Sequence, residues 1–274
     1  MRSGGMVLAA LVLSACGAGD GGGEVEAEAR AVPLTQSPAA RALRLPRMRV
    51  ARALPATAGT ATTVVHVRVV LAGTFPPDTT VQARSADPAC GDSFVDTSVV
   101  RNGDAIVGAL IWIEGAGTVF TTSADGEHRP TVILEKCRLQ PRVQLAAPGS
   151  TLQLVMRDTR VEQLVVVPAS LATPIDTVSF NADGQLVPVQ HRTDSTGVLG
   201  VYATRLPWAR AFVAIAPVGV TAISDISGTA SFTVDRAAKK VSVRAWHPSL
   251  GVAAGSLNPS TAGAEASITL TFRR

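Results

Sequence analysis

Gly197–Ala216, GVLGVYATRLPWARAFVAIA, is the stretch from which the rest of this chain can be read. An apolar run is followed by a short loop carrying Arg205, Pro207 and Trp208, and then by a second apolar run. Both runs are short and rich in Val, so they read as two strands joined by a tight connection.

The same grammar extends in both directions. Upstream, Val65, Val67 and Val69 alternate with His66, Arg68 and Val70, the period-2 pattern of a strand with one buried face. Asn102-Gly103-Asp104 is a hairpin signal leading into Ala105–Ile113, AIVGALIWI, whose apolar run suits a strand buried on both faces. Short strands broken by Pro141 and Pro148-Gly149 follow, then VEQLVVVP from Val161 and a segment with an Asp183-Gly184 hairpin signal. Downstream, TASFTV from Thr229, VSVRAWH from Val241 and ASITLTFR from Ala266 complete about twelve to fourteen expected strands, with no convincing amphipathic helix.

Bulk properties bound the possibilities. A chain of 274 residues fits one large all-β domain or two small ones. Roughly 210 residues beyond the first sixty bury enough surface to make a core without a metal or cofactor. The net charge of +4 leaves no nucleic-acid footprint unless it is concentrated on one face. The densest basic stretch is Arg41–Arg52, RALRLPRMRVAR. It reads either as a solvated tether or as a segment lying against anionic lipid, at about 1 kcal/mol per basic residue near the surface.

The N-terminus carries Arg2, the apolar run Met6–Leu13 and then Leu13-Ser14-Ala15-Cys16. The run is too short to span a bilayer and suits a secretory signal. Its ending resembles the lipobox of bacterial lipoproteins, which implies cleavage before Cys16 and acylation of that residue; Gly17 fits an outer-membrane destination. The Gly-, Ala- and Pro-rich segment that follows reads as a flexible linker over residues 16–60. Cys90 and Cys137 are the remaining cysteines. In an exported chain such a pair is expected as a disulfide, closing a loop worth about 4 kcal/mol. The rival reading is two thiols serving a metal, although neither has a His or Cys at the two-to-four-residue spacing of a structural zinc site.

Several motifs occur together in order: Gly73-Thr74-Phe75-Pro76-Pro77, Asp87-Pro88-Ala89-Cys90, Cys137 before Pro141-Arg142-Val143, and Trp246-His247-Pro248-Ser249-Leu250-Gly251. In this the chain resembles exported cupredoxin-like proteins of the plastocyanin-like or methylamine-utilisation type. The resemblance implies an all-β, Greek-key β-sandwich over residues 61–216. Ser224-Asp225-Ile226-Ser227-Gly228-Thr229 and the hairpin to Trp246 resemble a carboxypeptidase-regulatory, transthyretin-like module, implying a smaller β extension over 217–274. The copper ligands of the first family are missing. Met156–Gln163 has no His, and the ligand loop reads Ala203-Thr204-Arg205-Leu206-Pro207-Trp208-Ala209, with Ala, Leu and Ala where that family has Cys, His and Met.

No nucleophile elbow, phosphate-binding loop or His-Glu-x-x-His occurs. His191, Asp194 and Ser195 sit in one polar turn and cannot form a triad with one another. His66, His128, His191 and His247 are far apart in sequence. With 4% aromatic residues a base- or sugar-stacking platform is not expected. Trp208 is expected to plug the sandwich end, and His247 to close a strand with its ring bonded to backbone. Together with Trp246 these are the surface candidates. The expectation is a membrane-anchored envelope lipoprotein, held through Cys16 and facing the periplasm or the cell surface. It would be metal-free, without cofactor, non-enzymatic and not nucleic-acid binding, serving as a binding or structural module for an envelope protein partner. The alternative is an accessory of a periplasmic electron-transfer or metal-handling system.

Overall fold

A computed structural model describes residues 46–73, 79–82, 90, 93–96, 99–114, 118–121, 130–159, 161–168, 174–181, 184–189, 196–217 and 219–273. Cys16, the expected signal peptide and the linker to residue 45 lie outside the described residues. So do His128, His191, Asp194, Ser195, Asp183, Pro76-Pro77 and Asp87-Pro88-Ala89. The chain is all-β, with 22 strands and a single helical turn, Pro259–Ala262, among the described residues.

Two apolar cores organise these strands. The first lies between a sheet built on Thr62–Ala72 and a sheet built on Val241–His247. Thr62–Ala72 pairs antiparallel with Thr229–Asp235 and parallel with Glu265–Arg273. Val65, Val67, Val69 and Leu71 point inward, in phase with Phe232 and Val234 and with Leu270 and Phe272. This is the alternation read from the sequence, and burying one face of each strand is what fixes the register. The facing sheet runs Thr221–Ile223, Leu110–Glu114, Val241–His247, Gly251–Leu257.

The second core is made by residues 131–216. One sheet runs Arg138–Gln140, Thr131–Glu135, Gln153–Met156, Leu186–Pro188; the other runs Val143–Ala146, Arg210–Ile215, Gly197–Ala203, Glu162–Pro168, Asp176–Phe180. Gly197–Ala203 and Arg210–Ile215 form an antiparallel hairpin in register Gly197 to Ile215. Leu199, Val201, Ala211, Val213 and Ile215 face this core, while Val198, Phe212 and Ala214 face away from it. The outward set packs on Leu110, Trp112 and Trp246 of the first sandwich, so the hairpin is buried on both faces. The chain leaves one core for the other near residue 216. The strands at 62–72 and 101–114, grouped by the sequence motifs with the second core, share sheets with the C-terminal strands.

Three local expectations are corrected. Ala105–Ile113 is two strands, not one. Ala105–Ile106 belongs to the first sheet and Leu110–Glu114 to the facing sheet. The chain bends at Gly108, φ 77, and buried Ser224 holds the bend by accepting from Ala109 N and donating to the Ile106 carbonyl. The signal at Asp183-Gly184 does not make a hairpin, because Asp176–Phe180 and Leu186–Pro188 lie in opposite sheets. Residues 46–60 are not all linker. Pro46 and Ala51 are buried, Met48 and Val50 pack on the cores, and Arg52–Pro55 pairs parallel with Thr118–Thr121. Their apolar side chains alternate with Arg, which lets one side of the segment be buried.

Candidate functional site

The loop joining the central hairpin closes on itself. Ala209 N donates to the Leu206 carbonyl, and Ala203 N to the Ala209 carbonyl. Its hydrocarbon side chains, Ala203, Leu206 and Ala209, are all buried in the second core. Trp208 is half-buried against that core, and its Nε1 donates to the Cys137 carbonyl at 3.0 Å. The expected plug at the sandwich end is therefore held by a directional bond as well as by packing.

Two carboxylates lie beneath this end. Glu162 is 1% exposed, yet its Oε1 accepts from Thr204 Oγ1 (3.2 Å), Arg205 N (3.2 Å) and Gln163 N (3.0 Å). It clamps the loop at Thr204-Arg205, and backbone donors offset its desolvation. Asp158 is 5% exposed and accepts from Lys136 N and Cys137 N, at 2.5 and 2.8 Å. Lys136 and Cys137 have φ values of 49° and 60°, so Asp158 fixes a turn that non-Gly residues adopt reluctantly. Cys137 is paired with Cys90 as a disulfide, with Cα atoms 5.3 Å apart. Neither Glu162 nor Asp158 was singled out from the sequence. The available signal is phase: Glu162 shares the inward phase of buried Leu164 and Val166, and Asp158 that of Leu154 and Met156.

The surface reading of Trp246 and His247 is corrected, since both are buried. Trp246 meets Phe212 edge-to-face, centroids 5.1 Å apart, between the two sandwiches. His247 Nδ1 accepts from Ser249 N, as expected of a strand-end ring bonded to backbone, and its ring lies edge-on to Phe272. Burial, reinforced by the positive charge of Arg142, lowers its pKa from 6.5 to about 3, so the ring is neutral at physiological pH. His66 is exposed and shares a hydrogen bond with Ser231. In the Asp225 turn the carboxylate accepts from Ser227 N, Thr229 N and the Thr229 hydroxyl. Gly228 (φ 70) lies so close to its neighbours that a Cβ would fall 2.8 Å from that of Ala105. These residues do turn chemistry.

The loop end does not fit a blue-copper centre. That centre needs two imidazoles and a thiolate. Ala203, Leu206 and Ala209 offer hydrocarbon, and Oε1 of Glu162 is already taken by three donors. Among the described residues no three His, Cys, Asp or Glu side chains converge.

No family model matches the chain, and no curated protein matches it. Solved structures that resemble it include a purple cupredoxin from Nitrosopumilus maritimus, at 14% identity and TM-score 0.26, covering 32% of this chain and 99% of that one. A reduced Cu(I) amicyanin variant gives 16% identity and TM-score 0.29, covering 39% of this chain and 98% of its own. A copper-containing nitrite reductase from Thermus scotoductus SA-01 gives 15% and 0.28, covering 36% of this chain and 25% of that one.

Proposed function

We propose that this chain is an envelope lipoprotein, anchored through Cys16, whose second sandwich is a cupredoxin-like scaffold used for binding or support rather than electron transfer. The observation that carries the reading is the refilled loop end. Ala203, Leu206 and Ala209 pack into the core, and the Glu162 carboxylate ties the loop to the neighbouring strand. A site built this way keeps the rigidity of a ligand loop with none of its soft donors. The anchor is supported by the Leu13-Ser14-Ala15-Cys16 sequence behind a short apolar run. Two or more acyl chains hold a protein stably at a bilayer, each buried CH₂ contributing about 0.8 kcal/mol.

The test has two arms. Mass spectrometry of the chain from bacterial envelopes is expected to find Cys16 as an acylated N-terminus; an intact chain with unmodified Cys16 removes the anchor. Metal analysis of the same material is expected to find no stoichiometric copper. Tightly bound copper with an intense thiolate absorption overturns the metal-free reading.

A further inference from the structure

The segment Pro46–Arg52 continues directly from the stretch that leads back to Cys16. Its apolar residues are docked, and its arginines are not. Arg47, Arg49 and Arg52 are exposed, and among the described residues none of their side chains makes an ion pair or hydrogen bond. Strand register places a second basic segment beside them along two separate paths. Arg52 is opposite Thr118, and the ladder Thr233–Phe120, Val234–Val119 carried on by one residue brings Asp235 level with Thr118. Arg52 and the start of the Arg236–Lys240 turn are therefore two strands apart, about 10 Å. Independently, Val50 bridges Glu114, Glu114 is opposite Ser242, and Lys240 lies two residues before Ser242. Lys239 and Lys240 are exposed, and their side chains are equally without partners among the described residues. Of the two nearby carboxylates, Glu114 is ion-paired with Arg244 and Asp235 accepts from Ala237 N.

The geometry points to this end of the first sandwich as a docking surface for an anionic lipid bilayer, with Arg47, Arg49, Arg52, Lys239 and Lys240 meeting headgroup phosphates. Five cations with no side-chain partner among the described residues thus gather at this end of the first sandwich, on a chain of net charge +4. No exposed aromatic side chain accompanies them among the described residues, so the surface lacks the stacking groups that single-stranded nucleic acid uses. The length of the intervening chain favours a membrane. About 30 residues separate Cys16 from Pro46, a reach of at most about 100 Å, so an anchored molecule stays next to the bilayer. The chain enters the folded part at its basic end, so an anchored molecule presents that end to the bilayer first. Within a Debye length, about 8 Å at physiological salt, the surface potential then orients it. The orienting role rests on the proposed anchor; the affinity of the basic surface for lipid does not.

The full chain carrying Cys16→Ser, which removes the acylation site, is titrated with vesicles of phosphatidylcholine alone and with about 30% phosphatidylglycerol added. The difference between the two cancels any contribution of the apolar run at residues 6–13. At about 1 kcal/mol, or fivefold, per basic residue near the surface, Arg47→Gln/Arg49→Gln/Arg52→Gln is expected to weaken binding to the anionic vesicles roughly a hundredfold. Lys239→Gln/Lys240→Gln, in a separate exposed turn, is expected to weaken it roughly 25-fold, and salt near 1 M to abolish it. Unchanged melting temperatures show that both variants fold. Equal binding to both vesicles, or substitutions without effect, overturns the proposal. So does a single-stranded oligonucleotide that outcompetes the anionic vesicles. Absence of acylation at Cys16 in the native chain, with the vesicle result intact, removes the anchor and leaves the lipid surface standing.

Discussion

Glu162 and His247 show how burial decides what an ionisable side chain does here. Glu162 accepts hydrogen bonds from three residues, so truncation leaves those donors unsatisfied in the core. Glu162→Ala is expected to destabilise the chain by about 2 kcal/mol, read from urea denaturation at neutral pH. His247 has the opposite problem, because the folded state excludes its proton. Its pKa is about 3 folded, against 6.5 for an unburied ring. Between those values the unfolded chain binds the extra proton, so stability falls as pH drops below about 6.5 and this contribution is flat above it. The slope approaches about 1.4 kcal/mol per pH unit. Denaturation midpoints at pH 7 and pH 5 are expected to show His247→Gln losing about 2 kcal/mol less than the parent over that interval. Equal losses in the two proteins show that His247 is not the group responsible.

Among the elements, the turn at Lys136-Cys137 bears more than its length suggests. It is held by Asp158 from below, by the Cys90 disulfide from the side and by Trp208 from above. Replacing both cysteines by Ala is expected to cost about 4 kcal/mol for a loop with a sequence separation of 47. Asp158→Ala is expected to cost about 3 kcal/mol, since two buried backbone donors lose a charged acceptor and the turn has positive φ at both residues. Both are read as shifts in denaturation midpoint. Elements of this kind were unequally legible. The alternation of Val65, Val67 and Val69 and the two apolar runs around Arg205-Trp208 declare their strands, because burial period is local information. The break at Gly108 does not declare itself, since Ser224, which holds it, lies more than a hundred residues away. The sequence marks Asp183-Gly184 as a turn, but not which sheet the chain enters next. Asp158 and Glu162 were hidden because a carboxylate is not expected on an inward phase, although the phase itself was visible. Trp246 and His247 looked like surface groups because nothing local shows that a second sandwich covers them.

At the scale of the molecule, the two cores meet through a small apolar layer: Leu110, Trp112 and Trp246 on one side, Val198, Phe212 and Ala214 on the other. The second sandwich is inserted between strands of the first, so residues 121–219 leave and return on the same body. An apolar interface with both connections anchored favours joint motion over independent motion. The chain is therefore expected to unfold in one cooperative transition despite having two cores. Trp246 is the place to test this, because it belongs to a strand of the first sandwich but packs its ring on Phe212 of the second. Trp246→Ala is expected to cost about 4 kcal/mol, the usual range for deleting a buried Trp. It is also expected to split the calorimetric transition in two, the lower step involving residues 131–216, whose hydrogen exchange should rise ahead of that of Thr62–Ala72. Cys90 lies in the excursion between Thr62–Ala72 and Arg101–Asn102 of the first sandwich and Cys137 in the second, so the disulfide links the two and the splitting is read under reducing conditions. A single sharp transition in the variant, merely shifted down, shows that coupling runs through the chain connections instead of through the apolar layer.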